Sequence, residues 1–225
     1  MMRRVRLAVA IISILFPWPI KRFLLRWLLG YQLSPSARIG LSIVAANYVR
    51  LGRKARIGHF TVCRSLARLE LGDHARIGNL NWITGAGDNP SPRANGNGSG
   101  EVELLIGEHS AITHRHYIDC SDRIRIGDFT TIAGVRSQIL THSIRFDSST
   151  QAVESIVIGS YCFVGTGTII LSGSQLPSYS VLAAGSVMCD AFTEEWTLYA
   201  GVPAKPKKKI DRHSFYFHRT TGFVK

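Results

Sequence analysis

Leu51-Gly52-Arg53-Lys54-Ala55-Arg56-Ile57-Gly58 returns 20 residues later as Leu71-Gly72-Asp73-His74-Ala75-Arg76-Ile77-Gly78. Related units follow in Ile106-Gly107-Glu108-His109-Ser110-Ala111-Ile112 and Ile126-Gly127-Asp128-Phe129-Thr130-Thr131-Ile132. Farther along, Ile158, Val164, Ile170, Leu176, Leu182 and Met188 stand six apart, and Ile39 and Ile57 are 18 apart, which is three hexads. An apolar residue at every sixth position fits neither the helix period nor the alternation of an isolated strand. It fits a chain wound as a triangular coil, one hexad to a side. The aliphatic residue of each hexad then points inward, a small residue nearby lets the backbone turn, and stacked coils form parallel sheets around one apolar column. The expected fold is therefore mainly β, a parallel β-helix over residues 36–210. A basic amphipathic segment, 1–35, precedes it and a short tail, 211–225, follows.

The chain has 225 residues, 45% hydrophobic and 19% charged, enough for a sizeable core and against wholesale disorder. Its net charge of +12 is unevenly placed, because the first acidic residue is Glu70. So lopsided a field suits an anionic partner. Cys63, Cys120, Cys162 and Cys189 show no zinc-site spacing and no disulfide framework, so they read as free, buried thiols.

Residues 1–30 carry Arg3, Arg4, Arg6, Lys21, Arg22 and Arg26 among aliphatic and aromatic residues. The longest apolar run, Leu7 to Ile20, is 14 residues with two prolines, too short for a spanning helix. No small-x-small cleavage site follows it. The segment reads as an amphipathic helix lying on an anionic membrane surface, capping the β-helix, or both. Nucleic acid is not the expected partner, since the cations alternate with bulky aliphatics and not with stacking aromatics.

Two breaks interrupt the hexads. Leu71 to Ile106 contains a Gly-, Asn- and Pro-rich excursion from Asp88 to Gly100, and Ile126 to Ile158 exceeds one coil and carries Thr141-His142-Ser143. Loops on a rigid scaffold are common seats of function.

With these features the chain resembles the hexapeptide-repeat acyltransferases, in particular the branch of maltose, galactoside and bacterial polysaccharide O-acetyltransferases. Three segments carry the resemblance, in family order: Ile139-Leu140-Thr141-His142-Ser143, Ile158-Gly159-Ser160-Tyr161-Cys162-Phe163-Val164-Gly165, and Ala200-Gly201-Val202-Pro203-Ala204-Lys205. The resemblance implies a left-handed helix, against the usual right-handed crossover, and a homotrimer with sites between subunits. It makes His142 the general base, acetyl-coenzyme A the donor and a sugar hydroxyl the acceptor. His116 and Asp119 match the acceptor-binding strip, although the Asn that the family places there is missing. Coenzyme A contacts fall on Gly165, Thr166, Ala184, Gly185 and Cys189. The cation usual after Cys189 is replaced by Asp190, leaving Lys205 and Lys208 to supply phosphate-binding charge. A zinc site of the kind found in hexapeptide-repeat carbonic anhydrases would need a second histidine pair after His142, where Ile144-Arg145-Phe146 stands, so no metal is expected.

The implied activity is direct acetyl transfer from acetyl-coenzyme A to a hydroxyl of a bacterial polysaccharide or its lipid-linked precursor. The implied place is the cytoplasm, peripheral at the inner face of the membrane. Sugar N-acetylation on the same scaffold and a non-catalytic membrane scaffold are the alternatives.

Overall fold

In the computed structural model, residues 3–86 and 100–222 are described, and the Asp88–Gly100 excursion lies almost wholly outside them. Three parallel sheets of seven, nine and seven strands wrap the chain into a triangular prism. Sheet I runs from Gln32–Leu33 to Gln175–Leu176, and sheet II from Arg38–Ile39 to Thr197–Gly201, closed by antiparallel Ala204–Lys209. Sheet III runs from Ile43–Ala45 to Val187–Met188. The first strand begins at Gln32, slightly ahead of the residue at which the repeats become legible.

Register explains the hexads. Ile57, Ile77, Ile112, Ile132, Val164 and Leu182 stack in sheet II, while Cys63, Ile83, Ile118, Ile139, Ile170 and Met188 stack in sheet III. All are buried in one continuous core. Short strands with a single inward side chain would bury little alone, and stacking makes the column. Glycine is demanded where coils stack closest: a Cβ on Gly127 would lie 2.6 Å from the Ser160 nitrogen.

The corner between sheets I and II breaks a backbone preference. His74, His109, Phe129, Tyr161, Tyr179 and Trp196 all hold positive φ, between 53° and 60°. Their rings stack one per coil, with neighbouring centroids 4.5 to 5.2 Å apart. Offset stacking returns about 0.5–1.5 kcal/mol per pair, the order of the left-handed strain. The tail runs down this ladder. Phe217 meets Trp196 edge-on, Arg219 lies over Tyr161 and donates to the Phe129 carbonyl, and the Gly222 N–H donates to His109 Nδ1 at 3.2 Å.

At the other end, α1 (Arg3–Ile12) and α2 (Trp18–Leu29) cover the first coil, with Leu25 and Leu29 buried against it. Several of their cations do not face outward as the sequence suggested. The open end of a β-helix leaves carbonyls without ladder partners, and these cations supply the donors. Lys21 Nζ donates to the Gly40 and Ser42 carbonyls at 2.7 and 2.9 Å, Arg22 to those of Leu33 and Pro35, and Arg6 to those of Leu29 and Ala46. Burial lowers the Lys21 pKa from 10.5 to about 8. Val5, Ile12, Leu15, Phe16, Ile20, Phe23, Trp27 and Leu28 remain exposed. Among the described residues no helix is long and apolar enough to cross a membrane.

Candidate active site

The second break in the repeat is an antiparallel hairpin, His142–Arg145 paired with Thr150–Val153. It leaves the corner between sheets III and I, carrying exposed Ile144 and Phe146 outward. Buried Thr141 fixes its root: the Thr141 hydroxyl donates to the Asp119 carbonyl at 2.9 Å and accepts the Asp122 N–H at 2.9 Å, while the Thr141 carbonyl accepts the Glu154 N–H at 3.0 Å. His142 is thus the first hairpin residue, positioned by a fully buried neighbour.

Asp119 closes the strand Tyr117–Asp119, whose register sets it beside Leu140, two residues before His142. Its Oδ2 lies 2.9 Å from His142 Nδ1, and its Oδ1 accepts both the N–H and the hydroxyl of Ser121, at 2.8 and 2.6 Å. The carboxylate therefore holds the Nδ1 proton and leaves the Nε2 lone pair directed away from it. His142 is 42% exposed, so that lone pair is reachable from outside. A base oriented by a carboxylate is an arrangement suited to proton abstraction.

Asp119, expected to touch an acceptor, pairs with His142. His116 lies at the opposite end of the same strand. It is buried, its Nδ1 accepts the Ser137 N–H at 3.1 Å, and its Nε2 lies 3.0 Å from Thr113 Oγ1. Burial, with His114 nearby, lowers its pKa to about 4. Both ring nitrogens are occupied in locking a corner, as Thr61 and Asn81 lock those below it. Among the described residues no cluster of His, Cys, Asp or Glu could hold a metal ion.

Of the residues expected to contact coenzyme A, Gly165, Thr166, Ala184 and Gly185 sit together on the corner between sheets II and III, whereas Cys189 follows the last strand of sheet III and Lys205 and Lys208 lie on the strand that closes sheet II. At that corner the structure shows a device that the sequence did not disclose. In lower coils the outward N–H of this corner is capped by a side chain from the coil above: Leu41 by His59, His59 by Asn79, Asn79 by His114 and Val135 by Thr166. The series stops at Ala184, which has no acceptor to offer. Among the described residues the N–H groups of Thr166 and Ala184 find no partner, and both residues are exposed. Beside them Gly167 and Gly185 hold positive φ, with open space where a side chain would stand. The result is a smooth ridge with two unpaired donors, one per coil, matching the demands of an extended chain bearing amide carbonyls.

Cys189 is exposed, unlike the other three cysteines. Lys205 is tied to Asp190 at 2.8 Å, a contact that raises its pKa, and Lys209 is tied to Glu194 at 2.6 Å. Lys208 has no ion-pair partner among the described residues.

No protein-family model and no curated protein sequence matches the chain. Solved structures do. A hexapeptide-repeat-containing acetyltransferase from Vibrio cholerae is 17% identical, with 93% of each chain covered and a TM-score of 0.50. The same enzyme complexed with acetyl-coenzyme A is 19% identical over 93% of this chain and 87% of that one, also at 0.50. An N-acyltransferase from Bacillus cereus, solved with dTDP and coenzyme A, is 13% identical over 88% and 92% of the two chains, at 0.49. The chain has the fold of the hexapeptide-repeat acetyltransferases, a left-handed parallel β-helix.

Proposed function

We propose that this protein transfers an acetyl group from acetyl-coenzyme A to a sugar hydroxyl, with His142 as general base. The observation that carries the reading is the Asp119–His142 pair at 2.9 Å on a hairpin outside the coil. A passive β-helix has no use for a projecting histidine with a fixed tautomer. Nε2 takes the hydroxyl proton as that oxygen bonds to the thioester carbon, and the imidazolium, held by Asp119, returns it to the sulfur as the carbon–sulfur bond breaks. Such a base contributes ~10²–10⁴-fold. A hydroxyl needs this help more than a neutral amine does, which favours O- over N-acetylation. The corner ridge would hold the donor, Thr166 and Ala184 offering N–H groups to its amides and Lys208 a charge to its phosphates. The Vibrio cholerae structure with acetyl-coenzyme A supports the choice of donor.

The exposed apolar face of α1, α2 and the turn between them, with Leu15 83% and Trp27 75% exposed, supports docking on an anionic bilayer. Arg26 at the surface, and the absence of any acid before Glu70, give that face its charge complement. A membrane-held acceptor, a lipid-linked polysaccharide precursor at the inner face of the cell membrane, accords with it. Phe60, Leu80, Trp82 and Tyr117, exposed along sheet III and its corner, support a trimer of this chain.

The test is calorimetric titration with acetyl-coenzyme A, followed by turnover of His142→Ala. Binding at about one site per chain, with turnover lost and the fold retained, is expected. A folded protein that does not bind the donor, or retained turnover, refutes the assignment.

A further inference from the structure

We propose that Arg4 and Arg64 form a binding site for a phosphate group of the acceptor. The inference rests on the acetyltransferase reading and adds to it a site away from the reacting atoms.

In sheet III the residues that close successive strands stack in register: Ala45, Arg64, Thr84, Asp119 and Leu140. Strands lie ~4.8 Å apart, so Arg64 stands about 10 Å from Asp119 along this column. A short saccharide spans that gap. At the foot of the column opens a cavity of about 280 Å³, lined by Arg4, Leu7, Ala45, Arg64 and Ser65. One wall is α1, the helix whose outer side belongs to the apolar face. The cavity thus lies between the surface proposed to meet lipid and the base proposed to act on the sugar.

Among the described residues the charge of the cavity is uncompensated. Arg6, Lys21 and Arg22 donate to carbonyls of the first coil or of α2. The guanidinium groups of Arg4 and Arg64 have no hydrogen-bond or ion-pair partner among the described residues, and no acidic residue precedes Glu70. Guanidinium groups bind phosphate oxygens in paired, charge-assisted hydrogen bonds, and an uncompensated pair at one recess concentrates the field that draws an anion. The small side chain of Ala45 keeps the recess open. A phosphate joining a lipid to a glycan would sit here with its sugar directed up the column toward His142.

The test uses the full-length chain and farnesyl diphosphate as probe, with inorganic pyrophosphate and phosphatidylglycerol vesicles in parallel. The wild type should bind farnesyl diphosphate. The Arg4→Gln/Arg64→Gln double variant should bind it roughly ten- to a hundredfold more weakly. Its acetyl-coenzyme A affinity and vesicle partitioning should stay near wild type. Equal binding by both proteins, or none by the wild type, overturns the site. A variant that loses vesicle binding but keeps farnesyl diphosphate overturns it too, since the arginines then read bilayer headgroups. If the wild type fails to bind acetyl-coenzyme A, the acetyltransferase reading falls, while the phosphate titration still decides the site.

Discussion

Asp119→Asn replaces one oxygen by an NH₂ group in the pair on which the proposed chemistry rests, and the surrounding hydrogen bonds dictate which way the new amide turns. Ser121 offers two donors, its N–H at 2.8 Å and its hydroxyl at 2.6 Å, to Oδ1 of Asp119. In the variant the single amide oxygen is drawn to that side, and the NH₂ group faces His142 Nδ1. The imidazole must then accept at Nδ1 and carry its proton on Nε2, the wrong tautomer for a base. Restoring the working tautomer means turning the amide and abandoning the Ser121 contacts, about 1–3 kcal/mol, which is roughly a 5- to 150-fold loss. Loss of the carboxylate beside the imidazolium deepens this toward the ceiling of the base contribution, ~10⁴-fold. The expected fall in kcat is therefore about 10²–10³-fold with acetyl-coenzyme A affinity unchanged. The assay is release of free thiol at saturating donor, paired with donor titration. Adding Ser121→Ala removes one donor, frees the amide to turn, and should recover part of the rate. Activity of Asp119→Asn within about twofold of wild type would refute the role given to the carboxylate.

Ala184→Asn should let a side chain cap the Thr166 N–H, as Asn79 caps His59. The acetyl-coenzyme A Kd should then rise about tenfold by titration with Tm unchanged or slightly higher. His116 favours the folded state only while neutral, and its folded pKa of about 4 lies below its ordinary 6.5. Its stabilisation is full above pH 6.5 and is lost as pH falls toward 4, at most about 2–3 kcal/mol. Urea midpoints at about pH 7 and 4.5 should show that loss, and His116→Asn should flatten it. Ile118→Ala opens a cavity in a fully buried column and should cost about 2–5 kcal/mol by urea unfolding.

The fold was legible because each side of a coil has one inward slot, so the series Ile158 to Met188 writes the architecture directly. His142 stood out because the segment carrying it breaks the hexads between Ile126 and Ile158. Its contact with Asp119 was not legible, since Asp119 lies 23 residues earlier and meets His142 only through the stacking of Tyr117–Asp119 on Gln138–Leu140. For His116, read as an acceptor contact, the sequence did not show that the ring is buried with both nitrogens engaged at a corner. The inward cations of the N-terminal segment were hidden for another reason: sequence shows a charge but not the unpaired carbonyls it meets. Nor does any local rule announce His, Phe, Tyr and Trp at positive φ, where glycine or asparagine is the usual occupant. The coil corner imposes that conformation, since Lys54, Leu80, Arg115 and Arg136 share it without a stacked ring, and the ring one coil away offsets its cost.

The tail on that ring ladder alters how the molecule holds together. Every coil otherwise touches only its neighbours, so the prism alone would fray coil by coil from its ends, with stability additive along the stack. Contacts such as Gly222 to His109, 113 residues apart, join coils that share no other bond. Opening a middle coil must first peel the strap, which merges neighbouring exchange units into one. The strap can close only after the coils beneath it exist, so the last stretch of chain turns a modular stack into a single cooperative body.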